Sequence, residues 1–292
     1  ATLAKDHAFT FLDHSLRSGD SLVGLTRKQI SALHWAPQKQ LPLVADRLAK
    51  AIDRAGACRR DILEGGDFLS PALKRQKLDN ADEALSQARL IGDCVIAAFF
   101  SADKPAKRQV MLDRLALAVD PYVKQTGDWA TQRSILADFA NWLRGQPRDA
   151  SVAATERLAA DEPISHPLVP FHWEIEFPEV FQRENPGFDA IVGNPPFAGH
   201  VTLSSSTGLS YTEWLRTVFT DVAGKCDLIA LFFQKTSHVL RNAGAFGLIA
   251  TTTVRQGDTR ASGLRVMCNN DIRLYHAISR MRWPGSAAVT VC

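Results

Sequence analysis

Phe188-Asp189-Ala190-Ile191-Val192-Gly193-Asn194-Pro195-Pro196-Phe197 is the stretch on which the reading of this chain turns. Its first six residues form a short apolar run, the pattern of a buried parallel strand. The next four break that run with an amide, two prolines and a ring. The prolines lock φ and forbid continuation of a ladder, so the amide and its neighbouring carbonyl are held rigidly at the strand's carboxyl edge. That edge is where ligands of open α/β sheets bind.

Those residue types suit one kind of chemistry. The lone pair of an exocyclic base amine is delocalised into the ring, which makes the nitrogen a poor nucleophile. Two uncharged acceptors aimed at its N–H groups restore lone-pair density; the Asn194 amide oxygen and the Pro195 carbonyl supply them. Phe197 supplies a face on which an extruded base can stack. The bland alternative is a structural turn that closes a strand.

Working outward, Asp227 to Leu240 reads as an apolar helix ended by Asn242-Ala243-Gly244 as a C-cap. Phe246 to Thr251, Ile272 to Ile278 and Ala287 to Val291 read as further strands, the last two joined through Trp283-Pro284-Gly285. Strand, helix and strand in this order indicate an α/β sheet. Upstream, Phe11 to Leu16 is strand-like, and Gly19-Asp20 after it is a turn signal that sets Asp20 at a strand edge. Between about Ile30 and Ala160 the apolar residues recur at helical spacing instead, as in Leu85, Ile91, Val95 and Phe99 or Ile135, Leu136, Phe139 and Leu143. Asp79-Asn80 and Asp103-Lys104-Pro105 read as helix starts.

With these pieces assembled, Asp189 to Phe197 resembles motif IV of the amino-methyltransferases that use S-adenosylmethionine. Leu16-Arg17-Ser18-Gly19-Asp20-Ser21-Leu22 is similar to their motif III, which implies that Asp20 contacts the cofactor's adenine. Phe171 to Phe181 resembles the lead-in of large methylase subunits of type IIG-like restriction-modification and phage-defence systems. Trp283-Pro284-Gly285 with Ala287 to Val291 looks like the late segment whose aromatic packs against a flipped base. The resemblance implies an adenine-N6 DNA methyltransferase, with S-adenosylmethionine as cofactor and double-stranded DNA as substrate. The implied fold is α/β, a partial Rossmann-like methyltransferase sheet carrying a large all-helical insertion. Residues 1–30 and 165–292 would be methyltransferase core, holding motif III and motifs IV to VIII respectively, and 31–164 the insertion.

The family also needs a glycine-rich turn, and no Gly-x-Gly precedes Asn194. The expectation is therefore a fragment truncated at both ends, lacking an upstream cofactor-binding segment and a downstream target-recognition region, and inactive alone. Two rival readings are methylation of another planar amine (protein glutamine-N5 or an RNA base) and a non-catalytic module that binds DNA or a partner.

Composition is compatible with all three. The 292 residues carry 34 basic and 31 acidic side chains, a formal charge of +3, which neither requires nor excludes nucleic acid. Five scattered cysteines form neither zinc spacing nor a disulfide framework, and no apolar run reaches the length of a membrane span. A reduced cytoplasmic protein without a metal is the expectation. The plain alternatives are a Gly-Asp turn for Asp20 and ordinary packing for Trp283, while His172 reads as a packed, hydrogen-bonded residue in preference to acid–base or metal chemistry. Cys58-Arg59-Arg60 and Lys74-Arg75-Gln76-Lys77 read as phosphate contacts or, more blandly, as solvated helix faces.

Overall fold

The computed structural model describes residues 11–36, 41–159, 161–196, 208–219, 221–279, 281–282 and 290–291. Phe197 and Trp283 lie outside the described residues.

The helical block forms as its apolar spacing requires. It comprises α1 (Arg27–Ser31), α2 (Pro42–Glu64), α3 (Pro71–Phe100), α4 (Pro105–Lys124) and α5 (Trp129–Leu143). Proline occupies the first position of α2, α3 and α4, where its missing N–H would be unpaired in any case. The Ser70 hydroxyl accepts Leu73 N–H at 3.3 Å and starts α3, so Asp79-Asn80 falls inside that helix and not at a boundary. At α1, Thr26 and Gln29 close a reciprocal capping box.

One core runs through this block and beyond it. Buried Leu22, Val23 and Leu25 join Leu85, Ile91, Val95 and Phe99 of α3 and Leu136, Phe139 and Leu143 of α5. Trp214 of α8 (Leu209–Val218) and Leu228 and Leu231 of α9 (Leu228–Val239) complete it. Trp214 is fully buried, its ring edge-on to Phe99 at 5.1 Å between centroids.

Two short helices, α6 (Trp173–Glu176) and α7 (Pro178–Phe181), lead into β1 (Phe188–Gly193). β1 pairs in parallel with β2 (Leu240–Leu248), in the register Ala190 to Ala245 and Gly193 to Leu248. α9 is the crossover between them, and a parallel pair needs a connection of that kind. Beyond β2 come a 3-10 turn (Thr252–Arg255), α10 (Gly257–Arg260), a π turn (Ala261–Arg265) and α11 (Val266–Asn269). Met281–Arg282 (β3) pairs antiparallel with Thr290–Val291 (β4).

Several local expectations are corrected. Phe11 to Leu16 is no strand: Ser15 N–H closes a turn onto the Leu12 carbonyl. α9 stops at Val239, so Asn242 to Gly244 is not its C-cap. That tripeptide instead makes a bulge in β2, with Ala243 at φ 59°, and the strand begins six residues before Phe246. β1 is parallel as read but not buried, Val192 being 88% exposed. Ile272 to Ile278 carries no ladder among the described residues, and Leu274 and Tyr275 stand exposed. Apolar side chains alone do not make a strand; a partner edge must take up the backbone groups.

Candidate functional site

The carboxyl ends of β1 and β2 lie side by side. Ile249 N–H donates to the Gly193 carbonyl at 3.0 Å, which carries the pairing up to the residue before Asn194. The chain then leaves the sheet through Asn194 and Pro196, both exposed, and Pro195, which is buried. Among the described residues the Asn194 side chain makes no hydrogen bond. An amide held so, at a sheet rim beside a proline anchored in the protein, is free to accept and donate to a planar ligand. Thr251 and Thr253 follow at the end of β2, their hydroxyl oxygens 2.7 Å apart.

The base of β1 is fixed by rings. Phe188 meets Trp173, Phe177 and Phe181 edge-on, at 5.7, 5.3 and 5.7 Å. The stretch from Phe171 to Phe181 therefore aims the strand, and it also meets the segment around Asp20. Asp20 N–H donates to the Val169 carbonyl at 2.8 Å, and Phe171 N–H to the Val23 carbonyl at 2.7 Å. Gly24 permits this approach, since a Cβ there would lie 1.9 Å from the Phe171 carbonyl oxygen. Leu25 N–H donates to His172 Nδ1 at 3.0 Å, and Arg27 donates to Glu174 from both its backbone N–H and its Nε. His172 is thus a packed, hydrogen-bonded side chain, 1% exposed.

Asp20 is half-buried and forms a single parallel bridge with Pro170. One carboxylate oxygen accepts Leu22 N–H at 2.9 Å; the other accepts the Tyr211 hydroxyl at 2.8 Å. Burial, and then the Asp20 charge, push the Tyr211 phenol far up, so its proton stays in place as a donor. Sequence reasoning missed Tyr211, because nothing in its own neighbourhood ties it to a residue so remote in the chain. No hydrogen bond or ion pair joins Asp20 to Asn194 among the described residues.

A carboxylate offers roughly four acceptor positions, of which Asp20 has committed two. Its remaining capacity can accept from a donor group of a bound ligand. No group of three or more His, Cys, Asp or Glu side chains among the described residues could hold a metal ion. No helix among them is long and apolar enough to cross a membrane. The four described cysteines, Cys58, Cys94, Cys226 and Cys268, are free thiols.

The basic clusters resolve differently from each other. Arg59 is fully buried and bidentate on Glu179, at 2.6 and 2.8 Å, which removes it from any phosphate surface. Arg75 is exposed but bridges Asp13 and Asp79, and Lys77 bridges Asp61.

Residues 107–279 match the family model described as Eco57I restriction-modification methylase. Comparison with curated proteins gives no match, and comparison with solved structures gives none.

Proposed function

Because the chain belongs to the Eco57I restriction-modification methylase family, we propose that it methylates the N6 amino group of adenine in double-stranded DNA. The methylase core is formed by residues 1–30 and 165–292, a partial Rossmann-like sheet interrupted by the helical insertion 31–164, and the protein works in the cytoplasm. The target adenine is flipped out of the duplex and stacks on Phe197, with Trp283 packing against it. Its two amino hydrogens bond to the Asn194 amide oxygen and to the Pro195 carbonyl. Those two acceptors draw the nitrogen toward tetrahedral geometry and expose its lone pair. Pro195 and Pro196 keep both acceptors in place before the base arrives, so little reorganisation accompanies the reaction. S-adenosylmethionine, when bound, supplies a methyl group made electrophilic by its sulfonium, and Asp20 holds its adenine.

The observation that carries this reading is the position of Asn194: exposed, without a hydrogen bond among the described residues, where β1 ends beside β2. No described protein group occupies that amide, so a ligand amine can bond to it without displacing a protein partner. Single-turnover methyl transfer to duplex DNA tests it. In the intact protein Asn194→Ala is expected to slow the chemical step by about two to three orders of magnitude. A rate near that of the unaltered protein would remove Asn194 from the mechanism. Methyl transfer to protein or RNA in place of DNA would redirect the substrate.

A further inference from the structure

From the rim occupied by Asn194 the chain continues past β2 into a helical run, and three arginines stand along its start. Arg255 ends the 3-10 turn, Arg260 ends α10, and Arg265 ends the π turn. All three are exposed, and among the described residues none of their side chains has an ion pair or hydrogen bond. That separates them from Arg59, Arg75 and Lys77, whose charges are met by carboxylates. Asp258, the acidic residue on this run, turns back to accept Lys225 N–H at 2.9 Å.

The opposite face of the run is pinned. Thr259 Oγ1 accepts Asp227 N–H at 3.1 Å, and Ser262 Oγ accepts Ala223 N–H at 2.8 Å. Gln234 donates to the Ser262 carbonyl at 2.6 Å, and a Cβ on Gly263 would lie 3.1 Å from the Ala230 Cα. With that face fixed on α9, the arginines have one direction left, outward. The π turn matters here. In an α-helix residues five apart diverge by about 140°, whereas hydrogen bonding five residues apart brings Arg260 and Arg265 to the same side. Their spacing along the run is about 7.5 Å at ~1.5 Å per residue, an axial reach of roughly two nucleotide steps at ~3.4 Å of duplex rise each.

We propose that Arg255, Arg260 and Arg265 form a phosphate-binding stripe that seats the backbone of duplex DNA beside the Asn194 rim. The proposal rests on the DNA methylase reading and adds to it the surface that positions the duplex. The stripe contacts phosphates and no bases, so its contribution is independent of DNA sequence and screened by salt.

The test is fluorescence anisotropy of the intact protein with a mixed-sequence duplex of about 30 bp, between roughly 50 and 200 mM salt. Replacing all three by glutamine should reduce the slope of log K against log salt by about 2–3, and weaken binding on the order of 10²-fold near 0.1 M salt. Arg265→Gln alone should reduce the slope by about 1, and the triple lysine variant should keep it. An unchanged slope in the glutamine variants, with thermal unfolding as in the unaltered protein, overturns the stripe and leaves the methylase reading standing. If the unaltered protein shows no salt-dependent duplex binding, the stripe falls too. The single-turnover assay on Asn194 then decides the methylase reading by itself.

Discussion

The imidazole of His172 lies directly over the α-carbon of Gly92, so close that a Cβ added there would sit 2.6 Å from Nε2. The contact joins the C-terminal third of α3 to the segment that leads into β1. It is tight because Leu25 N–H holds the ring from its other nitrogen while Asp93 Oδ1 stands 3.3 Å from Nε2. Gly92→Ala therefore has nowhere to place its methyl group. It should destabilise the fold by about 1–3 kcal/mol, the usual cost of overpacking a filled core. Urea denaturation reads this directly, and an unchanged midpoint would mean that the ring can step aside.

Arg59 and Glu179 make a second joint between the same two regions. The guanidinium is fully buried, donates twice to the carboxylate and once to the His14 carbonyl at 2.7 Å, and lies near the Phe177 ring. Arg59→Met would leave the Glu179 charge buried without its partner. A loss of roughly 3–5 kcal/mol is expected. The double variant Arg59→Met, Glu179→Leu should recover much of it, since no charge is then left unpaired. Equal losses in the single and double variants would show that the ion pair itself, and not the orphaned carboxylate, sets the cost.

This pair also shows what could be read from sequence and what could not. The helices of 42–143 and the strand from Phe188 were legible because apolar periodicity is a local property and dominates their folding. The Asn194 rim was legible for the same reason: strand and prolines are adjacent in the chain. Arg59 looked like half of a surface cluster because its carboxylate is 120 residues away. Tyr211 was missed on the same ground, 191 residues from Asp20. β2 began earlier than its composition suggests because Gly187 lets the two backbones close up; a Cβ there would lie 2.4 Å from Arg241 N. Asn242-Ala243-Gly244 has turn chemistry in isolation, and tertiary pairing turned it into a bulge.

His14 gives the fold a pH dependence of definite sign. Burial, and then the Arg59 charge, hold its pKa below the ordinary value of 6.5; burial does the same for His34. The unfolded chain therefore binds protons on these residues at a pH where the folded protein does not. Their contribution to stability is fully present above pH 6.5 and is lost as the pH falls through the depressed folded values. Urea midpoints should thus begin to fall below pH 6.5, before the carboxylates titrate. His14→Gln should flatten the slope in that window. A midpoint that stays level down to pH 5 would contradict the burial of both rings.

Lys235 on α9 gives a dependence of the same sign at higher pH. Its chain is half-buried and its ammonium lies 5.6 Å from the centre of the Phe219 ring, with no carboxylate within ion-pairing distance among the described residues. Burial pushes its pKa down to about 8, against the pull of Asp20 and Glu174. Between that value and the unfolded 10.5 the unfolded chain binds the extra proton, so stability rises with pH across this interval and the penalty is constant below it. Lys235→Met keeps the length and apolar contact of the stem while removing the charge. It should raise the urea midpoint at pH 7, and the advantage should shrink as the pH approaches 10.5. A variant less stable than the unaltered protein at pH 7 would mean that Asp20 and Glu174 need this cation more than burial opposes it.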